Sequence, residues 1–187
     1  TSVTRDDLDD GGAAIFAATV NKLREYDPNI QIELLVPDFQ GAKASVDIIL
    51  DAAPEIFNHN IETVPRLYKT VRPRMGYKRS LSILKYAKGS GKVKLVKSGI
   101  FVGVGEREDE IKQTMQDICD TGVDILTIGQ YLSPSELHLP VLKYYPPEDF
   151  VKFKQWGNEM GFKHTESGPL VRSSYKASHQ SANLIEV

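Results

Sequence analysis

Four short stretches set polar side chains directly after apolar runs, the pattern by which a strand carries chemistry to its end. In the central one, Val93-Lys94-Leu95-Val96-Lys97-Ser98-Gly99-Ile100-Phe101-Val102 pours into Gly103-Val104-Gly105-Glu106. The glycines remove side chains where the backbone must bend or let a ligand approach, and Glu106 stands at the entrance to the next helix. After Glu55-Ile56-Phe57 comes the dense polar set Asn58-His59-Asn60-Ile61-Glu62-Thr63-Val64-Pro65. Asp9-Asp10-Gly11-Gly12 lies just before a helix, where backbone N–H groups can face an anionic or zwitterionic ligand. The fourth stretch, residues 124–131, ends in Gly129-Gln130-Tyr131. Each has an ordinary alternative when taken alone. Gly-x-Gly-Glu makes a βα turn, Asp-Asp-Gly-Gly a turn and cap, and His59 a hydrogen-bonded structural histidine.

The elements that must position these groups follow from periodicity. Phe16, Val20 and Leu23 mark a helix over residues 13–26 with one buried stripe. Residues 30–36 form a strand that stops at Pro37-Asp38, and Val46, Ile49 and Leu50 share one face of a short helix. Leu81, Leu84 and Ala87 mark another helix, broken by Gly89-Ser90-Gly91 before the central strand. Ile111, Met115, Ile118 and Cys119 form the buried stripe of a helix over residues 107–120, whose acidic start, residues 106–110, suits the positive end of the helix dipole. A proline-rich loop over residues 133–147 must cross open surface or cover something, and Phe150, Phe153, Gly157 and Met160 mark the last helix. Arg66, Lys69, Arg72, Arg74, Lys78 and Arg79, interleaved with Tyr68 and Tyr77, read as a solvated basic loop that an acidic protein partner could use. The repeat of nearly continuous apolar strand and amphipathic helix predicts an α/β fold of parallel strands with outer helices, a partial (β/α) barrel. A doubly wound sheet is the alternative, and polar groups at the end of every strand favour the barrel.

The chain has 187 residues with 41% hydrophobic content, the material of a single domain spanning residues 1–187. A net charge of -2 argues against bulk electrostatic attraction to nucleic acid or an anionic membrane. No apolar run approaches the roughly 20 residues of a spanning helix. Cys119 has no second cysteine to pair with, which points to a reducing compartment. Residues 1–7 lack an initiator Met and read as the last residues of a strand, so the barrel is expected to be truncated on its N-terminal side.

The tail, residues 162–187, carries Thr165 to Ala177 with neither helical nor strand periodicity, yet Leu170 and Val171 make it too apolar for a free end. Its Arg172-Ser173-Ser174-Tyr175-x-Ala177 resembles the C-terminal signature of lipoyl synthase, a family of radical S-adenosylmethionine enzymes. Thr1-Ser2-Val3-Thr4-Arg5-Asp6-Asp7-Leu8-x-Asp10-Gly11-Gly12, His59-Asn60-x-Glu62-Thr63-Val64-Pro65, Lys97-Ser98-Gly99 with Gly103-x-Gly105-Glu106, and Thr127-Ile128-Gly129-Gln130-Tyr131 resemble the same family in the same order.

The resemblance implies a sulfurtransferase that uses S-adenosylmethionine and two 4Fe-4S clusters to insert sulfurs at C6 and C8 of an octanoyl chain. That chain is carried on a lysine of a lipoyl domain, in a 2-oxoacid dehydrogenase subunit or the glycine cleavage H protein. The enzyme would work in the bacterial cytoplasm, or in a mitochondrial or plastid matrix. It further implies that Gly11, Gly12, Asn60, Glu62, Gly103, Gly105, Glu106 and Gln130 line the cofactor and substrate cavity. Ser173 is implied as an oxygen ligand of the auxiliary cluster, supported by Arg172 and Tyr175. A hard oxygen on soft cluster iron should leave that iron easier to release. The family's two cysteine triplets are absent, so either these residues are the C-terminal part of such an enzyme or the chain is a cluster-free protein that binds lipoyl or octanoyl carrier domains.

Overall fold

The computed structural model describes residues 1–181, 184 and 185. Helix α1 (Ala13–Tyr26) precedes β1 (Glu33–Leu35), α2 (Lys43–Asp51), β2 (Ile56–Asn58), a short α3 (Tyr68–Val71), α4 (Tyr77–Ser90) and β3 (Leu95–Val102). Then follow α5 (Glu108–Cys119), β4 (Ile125–Gln130), α6 (Pro147–Met160), β5 (His164–Gly168) and α7 (Ala177–Ser181). Local sequence sets the ends of these elements. Helix α5 opens on a capping box in which Glu110 accepts from the Arg107 amide at 2.8 Å, and α6 opens on Pro147.

The five strands are all parallel and lie in the order β1-β2-β3-β4-β5. Parallel crossovers are right-handed, so a spatial order equal to the chain order winds every connection over the same side. That is the winding of a barrel wall, since a doubly wound sheet must reverse its order at a switch point. The outward residues Leu34, Phe57, Val96, Ile100, Val102, Leu126 and Ile128 enter one large core with the helices. The alternate residues of the same strands form an inner face that includes Glu33, Asn58, Lys97, Gly99, Phe101, Thr127 and Gly129.

Several expectations need correction. No strand forms over residues 1–7, which run as irregular chain into a series of turns. Leu23 is 39% exposed, because α1 packs on α2 with Phe16 and Val20 while Ile15, Leu23 and Tyr26 look outward. The basic stretch is not a solvated loop. It contains a helical turn and α3, and three of its arginines are paired: Arg66 with Glu110 at 2.8 Å, Arg72 with Glu62 at 3.2 Å and Arg79 with Asp38 at 2.6 Å.

The tail also departs from expectation. Its start is strand β5, which is paired residue for residue with β4 from Ile125↔His164 to Gly129↔Gly168. His-Thr-Glu-Ser-Gly has almost no hydrophobic signal, and its place in the sheet comes from backbone pairing and from Thr165 packing outward against Gly157 of α6. Beyond β5 the chain folds back across the inner face. Ile185 and Leu184 finish a small second core with Ile56, Leu95 and Ile125, the first inner residues of β2, β3 and β4. That cover explains why β3 is buried along both faces.

Candidate functional site

At the carboxyl ends of the strands the inner face opens into a cavity of about 170 Å³. Its walls are Asn60 and Glu62 from the loop after β2, Phe101 of β3, Thr127 of β4, Tyr131, and Arg172 and Ser173 of the tail. A second cavity of about 130 Å³ shares Asn60 and Glu62 and is closed by Arg72 and the N-terminal residues Thr1, Ser2 and Thr4. Each alone is below the several hundred Å³ of a typical small-molecule site, and Asn60 and Glu62 form the wall between them.

That wall is unusual in its backbone and in its charge. Glu62 has φ 69°, a left-handed conformation held in place by Glu62 N–H donating to Gly99 O at 3.0 Å and Phe101 N–H donating to Glu62 O at 2.8 Å. Burial raises the Glu62 carboxyl above its ordinary value, while Arg72 and the Asn60 side chain oppose the rise. The buried Asn60 Oδ1 has no hydrogen-bond donor. A carboxylate and an orphan acceptor on one side, with the Arg172 guanidinium on the other, match a zwitterionic or cationic ligand bearing N–H donors. Phe101 and Tyr131, ring centroids 5.2 Å apart, add an aromatic wall.

Five of the residues expected from sequence thus meet at this cavity: Asn60, Glu62, Gln130, Arg172 and Ser173. Gln130 is nonetheless occupied in fastening the chain that follows it. Its Nε2 donates to Tyr131 O and Lys143 O, both at 3.0 Å, and its Oε1 accepts from Tyr145 N–H at 3.0 Å.

Gly103, Gly105 and Glu106 line neither cavity. Glu106 closes its own turn, accepting from Gly103 N–H at 2.6 Å and Val104 N–H at 3.0 Å, and Arg66 donates to Gly105 O at 2.8 Å. Gly103 has φ 120°, and a Cβ there would strike the Gln130 amide and the Lys143 carbonyl, so the turn is shaped by the loop it carries.

Gly11 and Gly12 also line neither cavity, and their amides are not free for a ligand. Gly11 N–H donates to Leu8 O at 2.9 Å, while Asp10 accepts from the Gly12 and Ala14 amides, each at 2.8 Å. Those two donors hold the Asp10 carboxyl below its ordinary range.

In the tail, Tyr175 N–H donates to Arg172 O at 2.9 Å and closes a turn. The segment is therefore not extended, and Ser173 rather than Ser174 lines the cavity. Tyr175 is 38% exposed and lies outside the cavity walls. His59 is a structural residue: its ring atoms meet Val36 O and Ser80 Oγ, both at 2.9 Å, and burial lowers its pKa to about 4. Phe101, Thr127, Tyr131 and Arg72 were not picked out from sequence as site residues. Phe101 shares the parity of Gly99 on the central strand, which is the one signal that could have found it.

The profile of the radical SAM superfamily matches residues 1–118. The chain belongs to this superfamily. Its sequence is 56% identical over 96% of its length to a lipoyl synthase of Rubrobacter xylanophilus and 52% identical over 95% to a mitochondrial lipoyl synthase of Nematostella vectensis. It spans 56% and 60% of those two proteins. A methylornithine synthase superposes with TM-score 0.55 at 17% identity, over 70% of this chain and 37% of that one. A domain of pyruvate-formate lyase-activating enzyme from Bacteroides vulgatus superposes with TM-score 0.57 at 13% identity, over 83% and 94%. These two likenesses bear on the fold, a partial α/β barrel of parallel strands.

Membership of the superfamily implies S-adenosylmethionine and a 4Fe-4S cluster. The Asn60 and Glu62 wall fits the ammonium and sulfonium charges of S-adenosylmethionine. The thiolates of a cluster are not supplied by these residues. Cys119 lies in the helix layer, half-buried at the end of α5, with its thiol donating to Met160 O at 3.2 Å and its pKa raised by burial. Among the described residues no group of three His, Cys, Asp or Glu side chains could hold a metal, and no helix is long and apolar enough to cross a membrane.

Proposed function

We propose that this chain is the C-terminal part of a lipoyl synthase, a sulfurtransferase that converts octanoyl-lysine on a lipoyl carrier domain to the lipoyl form. The reading is carried by one observation: the orphan acceptor Asn60 Oδ1 and the strained Glu62 form a wall suited to a cation, with Ser173 brought to the same cavity by the tail. S-adenosylmethionine would supply hydrogen-atom abstraction from the octanoyl chain, given one electron from a reduced 4Fe-4S cluster held outside these residues and with methionine as the leaving group. Glu62 and Asn60 would hold and orient the cofactor's amino-acid end, and Arg72 opposes the rise that burial imposes on the Glu62 carboxyl. Phe101 and Tyr131 exclude water from the side where an alkyl chain would lie. Ser173 offers a hard oxygen to the auxiliary cluster, whose thiolates must come from outside these residues.

The partners proposed are octanoylated domains of a 2-oxoacid dehydrogenase subunit or the glycine cleavage H protein. The proposed setting is the bacterial cytoplasm or an organelle matrix, as for the mitochondrial relative. Direct titration of S-adenosylmethionine into this chain tests the site. The expected result is measurable binding that weakens at least about tenfold in Glu62→Gln, the loss of one charge-assisted contact. Equal binding by the parent and the variant, or none by either, would reject the assignment. The position of Cys119 favours a second reading, a cluster-free protein that binds carrier domains. It predicts a stable complex with an octanoylated carrier domain and no response to S-adenosylmethionine.

A further inference from the structure

Lys97 is the one lysine whose side chain has 0% exposure among the ion pairs of the described residues, and it lies on the inner face of the central strand, where a methylene-rich core residue would be expected. Its ammonium makes two hydrogen bonds, one to the sheet and one to the tail. Glu33, from β1 at the sheet edge, accepts through Oε2 at 3.1 Å, and its Oε1 lies 3.0 Å away as an ion-pair contact. The second acceptor is the main-chain carbonyl of Ser173 at 2.5 Å, 76 residues further along the chain. Asn58, the register partner of Lys97 on β2, donates to Glu33 Oε1 at 2.7 Å and fixes the carboxylate in place. The sheet therefore supplies the countercharge and one hydrogen bond, and the docked tail supplies the other.

A second feature marks the same crossing. A Cβ on Gly129 would strike the Val171 carbonyl and come within 3.2 Å of the Arg172 guanidinium, so β4 is recessed where the tail passes. The tail is thus seated at Gly129, held at Lys97 and plugged at its far end by Ile185.

We propose that Lys97 is a positioning residue: backed by Glu33, it grips the Ser173 carbonyl and so sets where the turn over residues 172–175, and the Ser173 hydroxyl, sits beside the cavity. What that hydroxyl does rests on the function proposed above; the grip itself does not.

Hydrogen–deuterium exchange on the whole chain tests it without any cofactor. Three amides report the tail, those of Tyr175, His179 and Gln180, and two report the sheet, those of Phe101 and Tyr131. Lys97→Met should speed exchange of the tail amides at least about tenfold while the sheet amides keep their protection, as expected of a locally opened segment. The double variant Lys97→Met with Glu33→Gln leaves no unpaired carboxylate and should behave in the same way. Ser173→Ala keeps the carbonyl and should leave tail exchange unchanged. Tail protection that stays within twofold of the parent in the Lys97 variants overturns the proposal. So does loss of tail and sheet protection together in both, which would make Lys97 a general stability residue. A failure of S-adenosylmethionine to bind would leave these results standing, so the two proposals fail separately.

Discussion

Glu62 and His59 sit three residues apart on one loop and show how burial sends like-placed polar groups to different ends. Glu62 keeps a partner, Arg72, and a rim position on the cavity, and its left-handed backbone is the kind of strain that persists where surrounding structure over-determines it. His59 points outward into the helix layer and is held neutral there. Its folded pKa of about 4 lies below the ordinary 6.5, so the unfolded chain binds the proton more readily. The stability from His59 is fully present above pH 6.5 and is lost as pH falls toward 4. The full effect is roughly 3 kcal/mol at 1.36 kcal/mol per pH unit. Urea midpoints at neutral pH and near the lower limit should show this loss, and His59→Phe should show a flatter dependence. Ser173 acts at the same scale. In an enzyme completed with the missing cysteines, Ser173→Ala should lower lipoyl product strongly while deoxyadenosine release falls less. Ser174→Ala, altering an exposed side chain outside the cavity, should leave both near the parent rate. Measuring the two products in parallel checks the assignment.

Between β4 and α6 the chain has no regular structure, yet residues 131–146 are pinned to the strand ends at defined points. Gln130 makes three hydrogen bonds to it, and Gly103 O accepts from Leu142 N–H at 2.8 Å. The Gly-x-Gly-Glu turn and Gln130 therefore work as a clasp, with Glu106 shaping the turn from below. The segment also carries Leu132, Leu137, Leu142 and Tyr144 in exposed positions, with Leu132 at the rim of the cavity. Gln130→Leu keeps the size of the side chain and removes all three bonds. About 1–3 kcal/mol of stability should be lost for the buried groups left unpaired. Limited proteolysis should show faster cleavage within residues 131–146 while cuts in β3 and β4 remain rare.

At the scale of the whole molecule, the sheet is an open wall. Strand β1 has one sheet neighbour among the described residues, and α1 turns Ile15, Leu23 and Tyr26 outward. The single thiol is on the far side of the sheet from the cavity, so reconstitution of this chain with iron, sulfide and reductant should give no 4Fe-4S absorption and no deoxyadenosine. A 4Fe-4S spectrum accompanied by deoxyadenosine release would overturn that expectation. Much of this architecture was legible in the sequence. Strand and helix periodicity determined the α/β wall from α1 to α6, and the ordered motifs pointed to the radical SAM superfamily, because both depend on residues near one another in the chain. The tertiary structure decided the rest. Strand β5 carries no hydrophobic alternation and exists by pairing with β4, so no local signal could announce it. Motif glycines and acids that look alike in sequence divided by where their donors went: Asp10 and Glu106 satisfy the amides of their own turns, whereas Asn60 Oδ1 remains without a donor at the cavity. Lys97 reads as a break in an apolar strand until the fold brings Glu33 and Ser173 to it. Hydrogen-bond satisfaction of a buried group depends on partners distant in sequence, and only the folded chain specifies which partners those are.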